Sequence, residues 1–133
     1  VPSGFTGYNG GNVGAHNLEE WTRARGRDNI ALRLVSEVGI DVDSYGDKDG
    51  AASLAKAVAD LGDLPATYSS TSPGEGQPSR IHFYRVPIGT SVAKDEPRFR
   101  KVYGQDVEII HRSHRYAVVA PSIHVLTGFP VAH

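Results

Sequence analysis

The chain predicts an α+β fold, with helices laid on a largely antiparallel sheet, and three observations point to it. Patterned segments follow one another in the order helix, two strands, helix, then four strands. The connections between them are mostly short. The helix that follows the second strand has one clean apolar stripe, as a helix lying on a sheet requires. No internal repeat suggests a solenoid or an array.

Taken in order, residues 1–14 hold five Gly and one Pro and read as a loop packed onto the domain by Phe5 and Tyr8. Asn17 followed by Glu20 fits a capping box, and Leu18, Trp21 and Ala24 or Arg25 recur at helical spacing until Gly26. Residues 29–34 alternate as a strand, with Ile30, Leu32 and Leu34 on one face and Arg33 beside Ala31 on the other. A second strand at 38–43 follows so closely that an antiparallel hairpin is expected, bringing Arg33 toward Asp41 and Asp43. Residues 44–50 form a polar turn. Asp49 then caps a helix whose stripe is Ala51, Leu54, Ala55, Val58 and Leu61, and Gly62 stops it. Strands are expected at 66–70 and 80–86, separated by a flexible Ser/Gly/Pro-rich loop at 71–79. Residues 87–105 lack a period and read as a surface excursion. Two last strands, 107–111 and 115–120, flank a Ser113-His114 turn.

A chain of 133 residues suits one domain with a single core, and no stretch is long and apolar enough to cross a membrane. There is no Cys, which excludes a disulfide framework and a thiolate zinc site and agrees with a reducing cytoplasm. Because it starts at Val1, lacks a signal-peptide pattern and stops at His133 just after an apolar run, the chain is expected to be a piece of a longer polypeptide. The net charge of −1 argues against a generally basic nucleic-acid binder. Its distribution is uneven, with six Lys/Arg against eleven Asp/Glu in residues 1–79 and eight against four in residues 80–115.

The strand at 38–43 is chemically the most informative. Alternation sends Val38, Ile40 and Val42 to one face while Asp41 and Asp43 project together from the other. Two carboxylates so close resist joint ionisation unless positive charge lies between them, and magnesium or manganese would supply it and bring phosphates. A solvated strand end is the plainer alternative. Glu108, between Val107 and Ile109, would reach the same side as the acids or stand as an edge-strand charge. His82 faces away from Ile81 and Phe83, alongside Arg80 and Tyr84. His111, Arg112, His114 and Arg115 suit phosphate or template binding, and equally a polar hairpin tip. Arg98, Arg100 and Lys101 with Phe99 and Tyr103 read as a solvated loop, with a template-binding patch as the alternative. His16, His124 and His133 share no spacing and are expected to be structural.

Three stretches, in order, resemble the catalytic motifs of the archaeo-eukaryotic primase superfamily, in particular the bifunctional primase-polymerase (prim-pol) domains of phage and plasmid replication proteins. They are Val38-Gly39-Ile40-Asp41-Val42-Asp43, Ser79-Arg80-Ile81-His82-Phe83-Tyr84, and Val107-Glu108-Ile109-Ile110 followed by Arg115-Tyr116-Ala117-Val118-Val119-Ala120-Pro121-Ser122-Ile123-His124. Asn29-Ile30-Ala31-Leu32-Arg33 and Leu64-Pro65-Ala66-Thr67 fill the expected gaps, so the resemblance runs from about Phe5 to Pro130. Each motif alone is weak, because Asp-x-Asp also occurs in nucleotide-sugar glycosyltransferases and calcium loops; the ordered set is much stronger. The chain departs from the family at Arg80, where a small residue is usual, with Ser79 one step further from His82.

The resemblance implies an RRM-like, mostly antiparallel sheet with helices packed on one side, and a single prim-pol catalytic domain over residues 1–133. It implies template-directed nucleotidyl transfer from nucleoside triphosphates by two Mg2+ or Mn2+ ions about 3.5 to 4 Å apart. Asp41, Asp43 and Glu108 are then the catalytic metal ligands, and His82, Arg80, Ser79 and Arg115 contact the nucleotide. The implied partners are a single-stranded DNA template, a primer strand and a helicase domain or helicase partner of the parent protein, with no membrane, in the cytoplasm of a bacterium or encoded by its phage. Two rivals stand beside this expectation. One is a non-catalytic nucleotide- and nucleic-acid-binding fragment of a replication protein, and the other a metal-dependent glycosyltransferase using Asp-x-Asp.

Overall fold

The computed structural model describes residues 4–5, 11–71, 78–90, 101–112, 114–124, 128 and 130–132. The expectations for Tyr8, Arg98, Phe99, Arg100, Ser113 and His133, and most of the loop at 71–79, lie outside these residues. Within them the elements are α1 (Ala15–Arg25), β1 (Ile30–Leu32), β2 (Glu37–Val42), α2 (Gly50–Leu61), β3 (Ser69–Ser70), β4 (Arg80–Arg85), β5 (Val107–Ile110) and β6 (Ala117–Val119). Residues 101–103, expected in a surface excursion, are helical, and the Tyr103 hydroxyl donates to Asp60 on α2 at 2.7 Å. The fold is α+β, and every strand pair is antiparallel.

A four-stranded sheet in the order β3-β4-β2-β5 forms the centre, and a separate two-stranded sheet joins β1 to β6. The expected β1–β2 hairpin does not form. Both hydrogen-bonding edges of β2 are occupied, one by β4 and the other by β5, so β1 has no edge of β2 to join. It pairs instead with β6, Ile30 opposite Val119 and Leu32 opposite Ala117. Side chains clasp this pairing: Ser122, buried, accepts from the Ile30 N–H at 2.7 Å, and Asn29 exchanges hydrogen bonds with the Ile123 backbone at 2.6 and 2.8 Å. Arg33 is carried away from the carboxylates. It lines a separate cavity of about 390 Å³ with Leu32, Leu34, Glu37, Tyr68 and Phe83.

β2 is covered on both faces. Residues directly opposite in an antiparallel pair share a face, so Gly39 lies with Phe83 and Ile110, and Val42 with Arg80 and Val107 on the reverse. The first face meets Leu34 and Ala117, which with Ile110, Ile81 and Phe83 make the core cluster. On the second face Val42 and Val107 are buried, and α2 packs against β2 and β5. Its buried face is Gly50, Ser53 and Ala57, a band of small residues that lets the helix approach closely, while Leu61 of the expected stripe is 72 % exposed. The Asp49 carboxylate accepts from the Ala52 N–H at 3.3 Å, as expected of the cap, and Gly62 ends the helix at φ 96°.

α1 differs more from expectation. Its cap is Gly14, whose N–H donates to the Asn17 side chain at 3.0 Å; Asn17 is therefore the reciprocal partner inside the helix. No α1 residue is buried, and the chain is held there by Trp21, whose ring meets the Phe5 ring edge-on at 5.0 Å.

Gly50 is the closest joint in this architecture. A Cβ there would stand 2.3 Å from the Asp106 carbonyl oxygen and 2.6 Å from that of Asp43. Gly50→Ala is expected to lower stability by about 2 kcal/mol or more, measured by denaturant unfolding, because two backbones must separate to admit it.

Candidate metal and nucleotide site

β2 ends in the acidic pair, and its neighbour β5 sets the third acid. Asp41 is directly opposite Glu108, which puts both on the face of Ile81 and Ile110, and Asp43 follows two residues on. The placement expected of Glu108 is thus found. Carboxylates opposite each other in a sheet destabilise it unless a cation intervenes.

The end of β2 is fixed from three directions. The Asp43 N–H donates to the Asp106 carbonyl at 2.9 Å, and the Asp43 carbonyl accepts from the Gly50 N–H at 2.8 Å. The Ser44 N–H donates to the Ser79 hydroxyl, and the Ala51 N–H to the Ser44 hydroxyl, both at 2.7 Å. The first N–H groups of α2 are therefore satisfied by Asp43, Ser44 and Asp49, and none is left to bind an anion. Asp106, at φ 64°, turns the chain into β5 and accepts from the Asp49 N–H at 3.2 Å.

Cations surround the acids. Lys48 donates to the Asp43 carboxylate and, at 3.1 Å, to the Tyr45 hydroxyl, and its ammonium lies 4.8 Å from the Tyr45 ring centre. These hydrogen bonds, Asp43's first, hold the Lys48 ammonium above its usual range. Glu108 receives Arg115 on one oxygen at 2.9 Å and meets His114 Nε2 on the other at 2.8 Å. Asp43, Lys48, Gln105, Asp106, Glu108 and Arg115 line a cleft of about 180 Å³. Asp41 is half-buried, and burial first, then the charges of Asp43 and Glu108, raise its carboxyl to about 7, with Arg115 and Lys48 pulling the other way.

The donor set suits a hard divalent ion. Three carboxylates share one sheet face, and among the described residues no hydrogen bond or ion pair reaches the Asp41 carboxylate. Among those residues, however, no three acidic or His side chains converge on one point as a ready-made cage. Lys48, His114 and Arg115 hold the oxygens of Asp43 and Glu108 instead.

The residues expected to contact the nucleotide are not brought together. Arg115 lies in the cleft, against Glu108. His82 and Arg80 do not: they are opposite Ile40 and Val42, so alternation turns them to the reverse face of the sheet. Burial first, then the Arg80 charge, lower the His82 pKa. Ser79 is buried; it holds the Ser44 N–H, and its carbonyl accepts from the Thr71 hydroxyl at 2.7 Å, so its place is structural support under Asp43. His111 and His114 face each other across an isolated bridge, with mutual backbone hydrogen bonds at 3.1 and 2.8 Å, but β5 and β6 go to different sheets, so the expected hairpin of these two strands does not form. Lys48 and Asp106 were not singled out in the sequence; the signal for Lys48 is a cation in the tight turn directly after the acids.

Two outcomes are expected. Replacing the Ser79 hydroxyl in Ser79→Ala leaves the Ser44 N–H without its acceptor and costs about 1 to 2 kcal/mol in denaturant unfolding. Asp41 has a folded value above its unfolded one, so stability from this group is fully present below about pH 4 and is lost as pH rises toward 7. In metal-free protein Asp41→Asn should therefore raise the melting temperature by roughly 5 °C at pH 8 and change it little at pH 4.5, in paired thermal melts.

Compared with known proteins, the chain matches no curated protein and no solved structure. The family model described as bifunctional DNA primase/polymerase, N-terminal, matches residues 1–131, nearly the whole chain and all three motif stretches. The chain belongs to the bifunctional DNA primase/polymerase N-terminal family.

Proposed function

We propose that this domain performs template-directed nucleotidyl transfer, joining a nucleoside triphosphate to the 3′-hydroxyl of a primer on a single-stranded DNA template. The observation that carries it is the register pairing Asp41 with Glu108 on the face that Asp43 extends, in a chain of a primase/polymerase family. Asp41, Asp43 and Glu108 are assigned to two Mg2+ or Mn2+ ions, which supply Lewis acidity to the attacking hydroxyl and the departing pyrophosphate. Burial of Asp41 suits this role, since a carboxylate enclosed beside two others gains most from a bound cation. Arg115, on the cleft wall, is placed to meet phosphate oxygens, and its planar fork matches them well.

The same acids favour one second reading. Because Lys48 and Arg115 already answer the charges of Asp43 and Glu108, those two acids are partnered without metal, as a domain that binds nucleotide without turnover would tolerate. A glycosyltransferase has less support, since its Asp-x-Asp does not need Glu108 opposite Asp41.

Calorimetry with Mn2+ and a non-hydrolysable nucleoside triphosphate tests the site. The wild type is expected to bind both, and Asp41→Ala combined with Asp43→Ala to weaken binding by about a hundredfold or more. Equal titration curves for the two proteins would rule the site out. Extension of a labelled primer on a single-stranded template then separates the two readings, because only the first produces longer strands.

A further inference from the structure

Lys48 has a position that the proposed chemistry does not use. It stands in the turn after the acidic strand, with its side chain 40 % exposed, and Arg115 on the same cleft is 62 % exposed. Each long side chain can swing off its carboxylate without disturbing the sheet. Tyr45 gives the ammonium a second contact through its hydroxyl and ring, independent of Asp43.

We infer that Lys48 is a two-position cation, paired with Asp43 while the site lacks divalent ions and turned to the phosphates of the bound nucleoside triphosphate once an ion engages Asp43. This rests on the nucleotidyl-transfer site proposed above. An ammonium and a divalent ion competing for one carboxylate repel each other at contact distance, by several kcal/mol at the effective dielectric of a protein surface. The displaced ammonium needs another anion within reach of its stem. Charge balance names that anion. Without metal, the three carboxylates outweigh Lys48 and Arg115 and the site is negative; with two divalent ions it becomes strongly positive, complementary to a triphosphate.

The inference separates from a purely structural role through opposite signs. Lys48→Met keeps the bulk of the stem and removes the charge. Mn2+ binding without nucleotide, followed by the electron paramagnetic resonance signal of the free ion, is expected to tighten about threefold to tenfold, because a competitor is gone. Binding of a non-hydrolysable triphosphate at saturating Mn2+, followed by calorimetry, is expected to weaken on the order of tenfold. Lys48→Arg, which keeps the charge, is expected to restore most of the triphosphate affinity. A turn that merely needs Lys48 for its shape would weaken both ligands together, and that result overturns the inference, as does unchanged triphosphate affinity in Lys48→Met. If the wild type binds neither Mn2+ nor triphosphate, the underlying site fails and the inference with it. Wild-type binding that Lys48→Met leaves untouched removes Lys48 alone.

Discussion

Asp41 and Glu108 face each other across adjacent strands, and the repulsion between them is the constraint around which this end of the domain is built. A sheet that places two carboxylates opposite one another, with Asp43 beside them, must either protonate one or bring in positive charge. Both responses are visible. The Asp41 carboxyl is pushed up to about 7, and Lys48, Arg115 and His114 gather on its two neighbours. None of these groups reaches Asp41. The residual instability is concentrated at its half-buried carboxylate, which is where a small, hard cation gains the most.

Tolerating such a cluster requires a stiff frame, and the frame comes from the backbone. β2 is hydrogen-bonded along both edges, so its register cannot slip by a residue without turning Asp41 to the α2 face and Val42 toward the acids. Beyond the strand, Ser79, Ser44, Gly50 and Asp106 tie the chain to α2, β4 and β5 within a few residues of Asp43. Asp41 and Asp43 are therefore held by a strand paired along both edges. Their cations sit on an exposed turn and on the segment leading into β6, where side chains are freer to move. Rigid anions and mobile cations make a site that can exchange one kind of positive charge for another.

Much of the fold was legible in the chain, because its signals were local. The element order, the Asp49 cap and the Gly62 stop all depend on residues within one turn of each other, and alternation about Glu108 placed it correctly beside the acids. What was not legible depends on which strands become neighbours. The short link between residues 34 and 38 suggests a hairpin, but β4 and β5 take both edges of β2, and no local pattern at β1 announces β6 as its partner. The α2 stripe misled for a similar reason: close approach to β2 favours the small face of Gly50, Ser53 and Ala57 over the larger residues. Lys48 escaped notice because a lysine in a polar turn is ordinary until the turn folds back on an acid.

The same registers divide the second motif stretch between two duties. Ser79 reaches the acidic strand end, and Ile81 and Phe83 enter the core on the acid face, while Arg80 and His82 turn to the reverse face. Strand alternation makes this split unavoidable, since moving His82 to the acids would expel Ile81 and Phe83 from the cluster around Leu34 and Ile110. With His82 on the far side, the proposed phosphate binding would draw its positive charge from residues outside β4. Among the described residues the cleft offers Lys48 and Arg115, both borrowed from the acids they now neutralise. On the proposed reading, phosphate binding and acid pairing would draw on the same side chains, so nucleotide and metal would be coupled through charge.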